Sequence, residues 1–226
     1  MDRRLNEELD NEAGESTVFL RNAGANVRGV AESIKRLVND RTVDKVVVRT
    51  HTDCGAMKFV KAALAKETKP SSENYKRLVR QFEGMLTDDL DNTNTDVQLS
   101  AIRDLAVDED LDVSVDASII DLSKLNLHTG SKHVLAIVLG RQAVAYAEAS
   151  RQLGVLEDDT YFIQALSFDE VLPDIDIAVS ALGLNDIRFV SVGGAMHDEI
   201  DEAIAELKRQ PFFSDKLSVN VAEVKQ

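Results

Sequence analysis

Short apolar runs alternate with helically spaced apolar positions through the first part of the chain. Residues 17–20 (TVFL) predict a strand, and apolar residues on one face of 28–40 predict a helix. The β-branched run 46–48 (VVV) predicts a buried strand. After Gly55 the apolar spacing becomes helical, so a second helix should follow that strand directly.

The central part of the chain is predicted to be mainly helical. Residues 74–86 carry apolar side chains at helical spacing, 97–107 predict another helix, and 113–120 alternate as a strand. The segment 87–95 is rich in Asp, Asn and Thr, and it is therefore predicted to be a solvated loop.

The second half continues the alternation of strands and helices, which is typical of an α/β protein. Continuous apolar runs predict buried strands at 134–139 (VLAIVL), 160–164 (TYFIQ) and 187–192 (IRFVSV). Helices are predicted at 141–153, closed by Gly154, after the Ser167–Glu170 capping box, and from Gly194 to about 210.

Two pairs of segments indicate an internal repeat. Thr160 to Ile163 resemble Thr17 to Leu20, and residues 186–190 resemble 44–48. The spacing within each pair is 27 residues in the first copy and 26 in the second. We therefore divide the chain into residues 1–131 and a degenerate, structural repeat at 132–226.

Composition limits the classes of function. The 226 residues carry a net charge of −14, which opposes binding to a phosphate backbone and argues against a nucleic-acid role. There is no apolar run of membrane-spanning length and no signal-peptide core near the N-terminus, so we expect a cytoplasmic protein without membrane association. The single cysteine excludes an internal disulfide.

That cysteine belongs to the most distinctive stretch of the sequence. His51 and Cys54, spaced H-x-x-C, lie where the 46–48 strand gives way to the helix after Gly55. Ligands of open α/β sheets bind at this edge, and imidazole and thiolate are preferred zinc ligands. An isolated H-x-x-C also arises by chance, so both interpretations stand at this point.

Three motifs, taken in order, resemble the β-class carbonic anhydrase family. The chain has R-N-A-G at 21–24 and H-T-D-C-G at 51–55, and it opens with M-D-R-R-L at 1–5. The family carries R-N-A-G, H-x-D-C-G and an opening C-x-D-x-R-L. Asp2, Arg4 and Leu5 match that opening, and the position of its cysteine lies one residue before Met1.

The resemblance implies a function and a set of roles. In the family, zinc held by Cys, His and Cys supplies zinc-bound hydroxide, which converts carbon dioxide reversibly to bicarbonate. His51 and Cys54 would be ligands, and Asp2 and Arg4 the catalytic dyad. Four residues would surround this site: Arg21 and Asn22 as support, Asp53 as an orienting group or a helix cap, and Gly55 to let the helix start pass close to zinc.

The resemblance also implies an architecture. The expected fold is a β-carbonic-anhydrase-like, mostly parallel sheet flanked by helices, present here as a tandem pseudo-repeat. Because the sites of the family lie at dimer interfaces, the second repeat would act as a built-in partner in an intramolecular pseudo-dimer. Further homo-oligomerisation is left open.

The missing first cysteine leaves three outcomes open. Asp2 ligates zinc, since a carboxylate is an acceptable ligand; the native start lies upstream and supplies the cysteine; or zinc is no longer bound. The alternative function is a catalytically silent zinc-binding or scaffold protein, and carbonyl sulfide or carbon disulfide are alternative substrates. His128, His133 and His197 are interpreted as structural residues.

Overall fold

The chain forms two compact units, each built from parallel strands and helices. One unit joins Met1–Arg21 to Leu127–Gln226 and is called the terminal unit here; the other, Asn22–Asn126, is the central unit. The sequence-based division at 131/132 differs from this, because residues 1–21 pack with the second half of the chain. The computed structural model describes residues 2–12, 17–85, 87–125, 133–141, 144–155, 159–192 and 196–224.

The central unit has a two-stranded parallel sheet. Strand β1 (Lys45–His51) pairs with β2 (Ser114–Ile120), which places His51 opposite Ile120. Helix α5 (Leu90–Asp108) packs against both strands. The other helical elements, numbered along the whole chain, are α2 (Ala31–Asn39), α3 (Gly55–Leu64), α4 (Glu73–Arg80) and 3-10 turns at Ala23–Ala25, Val27–Val30 and Leu122–Lys124.

The terminal unit has a four-stranded parallel sheet in the order β4–β3–β5–β6. Its strands are β3 (Val134–Leu139), β4 (Thr160–Ala165), β5 (Asp186–Val192) and β6 (Ser218–Val224). Its helical elements are a 3-10 turn at Arg3–Leu5, α1 (Asn6–Glu12), α6 (Tyr146–Gln152), α7 (Phe168–Leu182) and α8 (His197–Leu207). No helix in the described parts of the chain is long and apolar enough to cross a membrane.

Helices cover the four-stranded sheet and bury its centre. Helix α7 packs against β3 and β4, and α8 packs against β5. Every residue of β3 is buried, as expected for a continuous apolar run in the middle of a parallel sheet. Phe162 of β4 and Phe189 of β5 are fully buried as well. The predicted α/β class, with parallel sheets flanked by helices, is therefore confirmed.

One predicted strand is wrong. Residues 17–20 form no strand, although their sequence resembles that of β4. A strand requires a neighbour along its length, whereas this segment leads only to one antiparallel bridge, between Arg21 and Gln164. The pattern TVFL therefore does not specify a ladder, and the ring of Phe19 instead lies against Tyr146 at 5.8 Å between centroids.

The predicted acidic loop at 87–95 is wrong in its second half. Helix α5 already begins at Leu90, because the carboxylate of Asp89 accepts a hydrogen bond from the Asn92 backbone N–H at 3.1 Å. Leu90 and Asn94 are buried, so the first turns of the helix are part of the folded core of the unit. Strand β6 was not predicted, since its residues are mostly exposed or half-exposed.

Candidate functional site

The connection between β1 and α3 holds the two predicted zinc ligands. His51 is the last residue of β1, and Cys54 is the residue immediately before the first residue of α3. Their exposed fractions are 8% and 4%. The strand and the helix thus bring both side chains into the interior of the central unit at the carboxyl edge of its sheet.

The imidazole of His51 is oriented by a hydrogen bond to the backbone. Its Nδ1 lies 2.9 Å from the Thr52 carbonyl oxygen. A carbonyl oxygen only accepts, so Nδ1 is the donor of this hydrogen bond. Metal-binding histidines are commonly held in this way, with one nitrogen donating to an oxygen and the other free for the metal.

The turn 52–54 is fastened to the end of β2. The Thr52 N–H donates to the Ile120 carbonyl at 2.9 Å, and its hydroxyl accepts from the Leu122 N–H at 3.0 Å. Asp53 adopts a left-handed backbone with φ of +56°. Its carboxylate contacts Lys58 Nζ at 2.5 Å, on the first turn of α3. Orientation of a metal ligand by Asp53 stays a prediction.

A further carboxylate lies against the same turn. Asp91, on the first turn of α5, accepts from the Asp53 N–H at 2.7 Å and from the Cys54 N–H at 3.3 Å. The sequence does not reveal this contact, because the Asp, Asn and Thr residues of 87–95 predict a solvated loop. Its signal in the sequence is the helix cap Asp89, which places Asp91 on the first turn of a helix.

Neighbouring protein atoms leave room for a side chain at position 55, so they do not require a glycine there. A Cβ added there would meet nothing within 4 Å, and this glycine does not have a positive φ. Its predicted role beside a metal stays a prediction.

Asp2 and Arg4 form a two-pronged ion pair in the terminal unit. Arg4 Nε lies 2.9 Å from one carboxylate oxygen of Asp2, and its Nη2 lies 2.7 Å from the other. The same carboxylate accepts from the Arg4 backbone N–H at 3.0 Å and caps the 3-10 turn Arg3–Leu5. Bidentate pairing fixes the plane of the carboxylate as well as its charge.

Arg21 ties this N-terminal segment to the terminal unit. Its guanidinium is buried, donates to Asn6 Oδ1 and to the Asp2 carbonyl at 2.8 Å each, and lies 4.4 Å above the centre of the Tyr146 ring. Burial lowers the pKa of Arg21, partly offset by Tyr146. Asn6 in turn donates to the Thr160 carbonyl of β4 at 3.0 Å.

Two further buried polar side chains lie near Arg21: Tyr146 contacts it in space, and Asn22 follows it in the sequence. Burial raises the pKa of Tyr146 to about 12, against an opposing effect of Arg21, and the hydroxyl donates to Gln164 Oε1 at 3.0 Å. Asn22, the first residue of the central unit, donates to the Asn26 carbonyl at 2.6 Å. Both bonds satisfy buried groups and so have structural roles.

The donor chemistry at the β1–α3 connection fits zinc, but the number of donors is incomplete. An imidazole that donates from Nδ1 and a buried thiol are suitable zinc ligands. Within the ranges that the structure describes, however, no three His, Cys, Asp or Glu side chains are grouped to hold a metal. Asp2 belongs to the other compact unit, and its predicted ligation stays a prediction.

The remaining histidines contact other side chains or lie outside the described residues, and their structural interpretation stays a prediction. The ring of His133 packs edge-on against Tyr161 at 5.8 Å between centroids. His197 Nε2 lies 3.4 Å from a carboxylate oxygen of Glu223. His128 is outside the described residues.

Comparison with protein families gives one match. The family described as carbonic anhydrase matches residues 1–134, which is more than half of the chain and includes all three motifs. The chain therefore belongs to the carbonic anhydrase family, as its resemblance to the β class predicted. Comparisons with curated proteins and with solved structures give no match.

Proposed function

We propose that this protein is a zinc lyase that hydrates carbon dioxide reversibly to bicarbonate. The observation that supports it best is the pair at the end of β1, where His51 has its Nδ1 proton directed at a carbonyl and Cys54 is buried at the start of α3. This arrangement occurs in a chain of the carbonic anhydrase family, at the residues that match its H-x-D-C-G motif.

His51 Nε2 and Cys54 Sγ are proposed as two of the zinc ligands. Zinc, when bound, lowers the pKa of a coordinated water to about 7. The burial of both ligands favours a site with little competing solvent, and the Thr52 carbonyl increases the basicity of the His51 imidazole.

Asp2 is proposed to accept a proton or a hydrogen bond, with Arg4 as its orienting partner. Both oxygens of the Asp2 carboxylate already accept from Arg4, at 2.9 and 2.7 Å. The two-pronged contact fixes the plane of the carboxylate, which supports the dyad role of Asp2. Each carboxylate oxygen has two lone pairs, so ligation of zinc by Asp2 stays the alternative.

Stopped-flow measurement of carbon dioxide hydration with a pH indicator tests this function. We expect the zinc-loaded protein to exceed the buffer rate, and His51→Ala and Cys54→Ser to lose both zinc and activity. Arg4→Ala should keep its zinc and lose about 10- to 100-fold in rate, as for other supporting residues of metal sites.

His197→Ala is the matched control, because His197 pairs with Glu223 in the terminal unit. It should retain zinc and full activity. Zinc retained by both His51→Ala and Cys54→Ser would place the metal site elsewhere and refute the assignment.

The second candidate is a silent zinc-binding or scaffold protein. It is favoured by the absence, among the described residues, of a third donor beside His51 and Cys54. We then expect zinc affinity below that of a full Cys-His-Cys site and no hydration above buffer. Carbonyl sulfide and carbon disulfide in the same assay test the alternative substrates, and light scattering tests homo-oligomerisation.

A further inference from the structure

The turn 52–54 carries the left-handed residue between the two predicted ligands. Asp53 has φ of +56°, which is uncommon for a residue with a side chain and costs free energy unless neighbouring contacts hold it. The bonds of Thr52 to the end of β2 hold the first residue of the turn. They do not involve the backbone N–H groups of Asp53 and Cys54, the last two residues before α3.

Those two N–H groups share one acceptor, the carboxylate of Asp91. Each oxygen takes one N–H: Oδ2 from Asp53 at 2.7 Å and Oδ1 from Cys54 at 3.3 Å. Hydrogen bonds from backbone N–H to a charged carboxylate are among the stronger ones in proteins. A two-oxygen contact of this kind fixes the direction of both peptide planes, and so the direction of the Cys54 side chain.

Asp91 itself is held in place by the rest of α5. Thr95 is one turn further along and its hydroxyl lies 2.5 Å from that of Thr50 on β1. Asn94 donates to the Gly24 carbonyl at 2.9 Å, and Gln98 accepts from the Val27 N–H at 2.9 Å. Helix α5 is therefore fastened to its surroundings over two turns, and it presents Asp91 from a rigid support.

We infer that Asp91 is a positioning residue for the metal-binding turn: through the N–H groups of Asp53 and Cys54 it holds the Cys54 thiol in its buried, ligand-presenting direction. The inference rests on the proposed function, in which His51 and Cys54 bind zinc. Asp91 is not proposed as a ligand, since the described part of the chain contains no group of three donors.

Zinc affinity gives the first test, measured on the full chain by competition with a chromogenic chelator. Asp91→Ala should weaken zinc binding about 10- to 100-fold, the range found for residues that support metal ligands. Asp91→Asn should lose less zinc affinity, because its amide oxygen can still accept a hydrogen bond from one of the two N–H groups. Asp96→Asn, an exposed change on the same helix, should match the wild type. Cobalt substitution should show a weakened thiolate charge-transfer band only in the Asp91 variants.

Thiol labelling gives the second test and needs no metal. Cys54 is the only cysteine in the chain, so the reaction of the apo-protein with a disulfide reagent reports on it alone. The thiol is buried in the wild type, and Asp91→Ala should raise its labelling rate at least 10-fold. Ile102→Val removes one methyl group from the buried side of α5 and controls for a general loss of stability.

The outcomes separate this inference from the proposed function. Labelling of Asp91→Ala within twofold of Ile102→Val overturns the positioning role, even if zinc binds through His51 and Cys54. A 10-fold rise in labelling, with no zinc bound by the wild type, supports the positioning of Cys54 and refutes the zinc function. Loss of zinc affinity together with faster labelling in Asp91→Ala alone supports both.

Discussion

The sheets of the two compact units differ in how deeply they bury their strands, as a pair of matched positions shows. In the predicted repeat, Val47 of β1 corresponds to Phe189 of β5. Val47 is 42% exposed in a two-stranded sheet, whereas Phe189 is fully buried in a four-stranded one. The central unit has the polar, hydrogen-bonded strand end, and the terminal unit has the larger apolar core.

The larger stabilising core thus lies in the terminal unit, whereas the candidate metal ligands His51 and Cys54 lie in the central unit. The connection from β1 to α3, His51-Thr52-Asp53-Cys54, places polar groups and a left-handed residue at the edge of the sheet. The corresponding region after β5 carries glycines and apolar residues. Functional sites commonly depart from the choices that stabilise a fold, and the stabilising burial then lies elsewhere in the molecule.

The largest expected effect comes from truncating the two matched positions. Phe189→Ala should lower the free energy of unfolding by about 3–5 kcal/mol, because it leaves a cavity in a packed core. Val47→Ala should cost less than about 1 kcal/mol, since much of this side chain is already in water. Urea unfolding of both variants measures the difference. Equal losses would show that the two sheets contribute alike.

High pH should act mainly on the terminal unit. The pKa of Tyr146 is raised to about 12, from 10.0 in the unfolded chain. The stability linked to its proton is fully present below pH 10 and is lost as the pH rises towards 12, by about 3 kcal/mol. Urea unfolding between pH 9 and 12 should show this loss in the wild type and a smaller one in Tyr146→Phe.

Tyr75→Phe is the control in the central unit. Burial also raises the pKa of Tyr75, but by less than it raises that of Tyr146. Its removal should therefore change the pH dependence less. If both variants keep the wild-type slope, neither tyrosine carries the alkaline transition.

The smallest expected effect compares the helix caps of the two units. The carboxylate of Asp10 accepts from the N–H groups of Tyr146 and Ala147, at 2.7 Å each, and so caps α6 from a distant part of the chain. Asp10→Ala should cost about 1 kcal/mol. Asp89 caps only its own helix, α5, at an exposed position, and Asp89→Ala should cost less in the same urea experiment.

The apolar pattern was sufficient to predict helices that bury one whole face and strands that are apolar throughout. Strand β3 and helix α3 follow directly from it, because their burial depends on residues next to one another in sequence. The pattern failed at residues 17–20, where a motif that resembles the start of β4 pairs with no strand among the described residues. Local sequence does not specify whether a partner strand is present.

The candidate site was predictable in its residue types and not in its contacts. The H-x-x-C spacing and the resemblance identified His51 and Cys54. The acceptor for the His51 Nδ1 proton and the contact of Asp91 with the turn depend on the fold, since Asp91 is 38 residues from Asp53. Asp and Asn residues have low helix propensity, which concealed the start of α5.

The cap that Asp10 provides for α6 also sets an order of assembly. Asp10 and Tyr146 are separated by 136 residues, and Asn6 and Thr160 by 154. The N-terminal segment can reach these contacts only after β4 has been synthesised, which takes roughly 8–30 s at ribosomal speeds of about 5–20 residues per second. During synthesis, the segment that carries Asp2 and Arg4 therefore has to wait for β4 before it can reach its final packing.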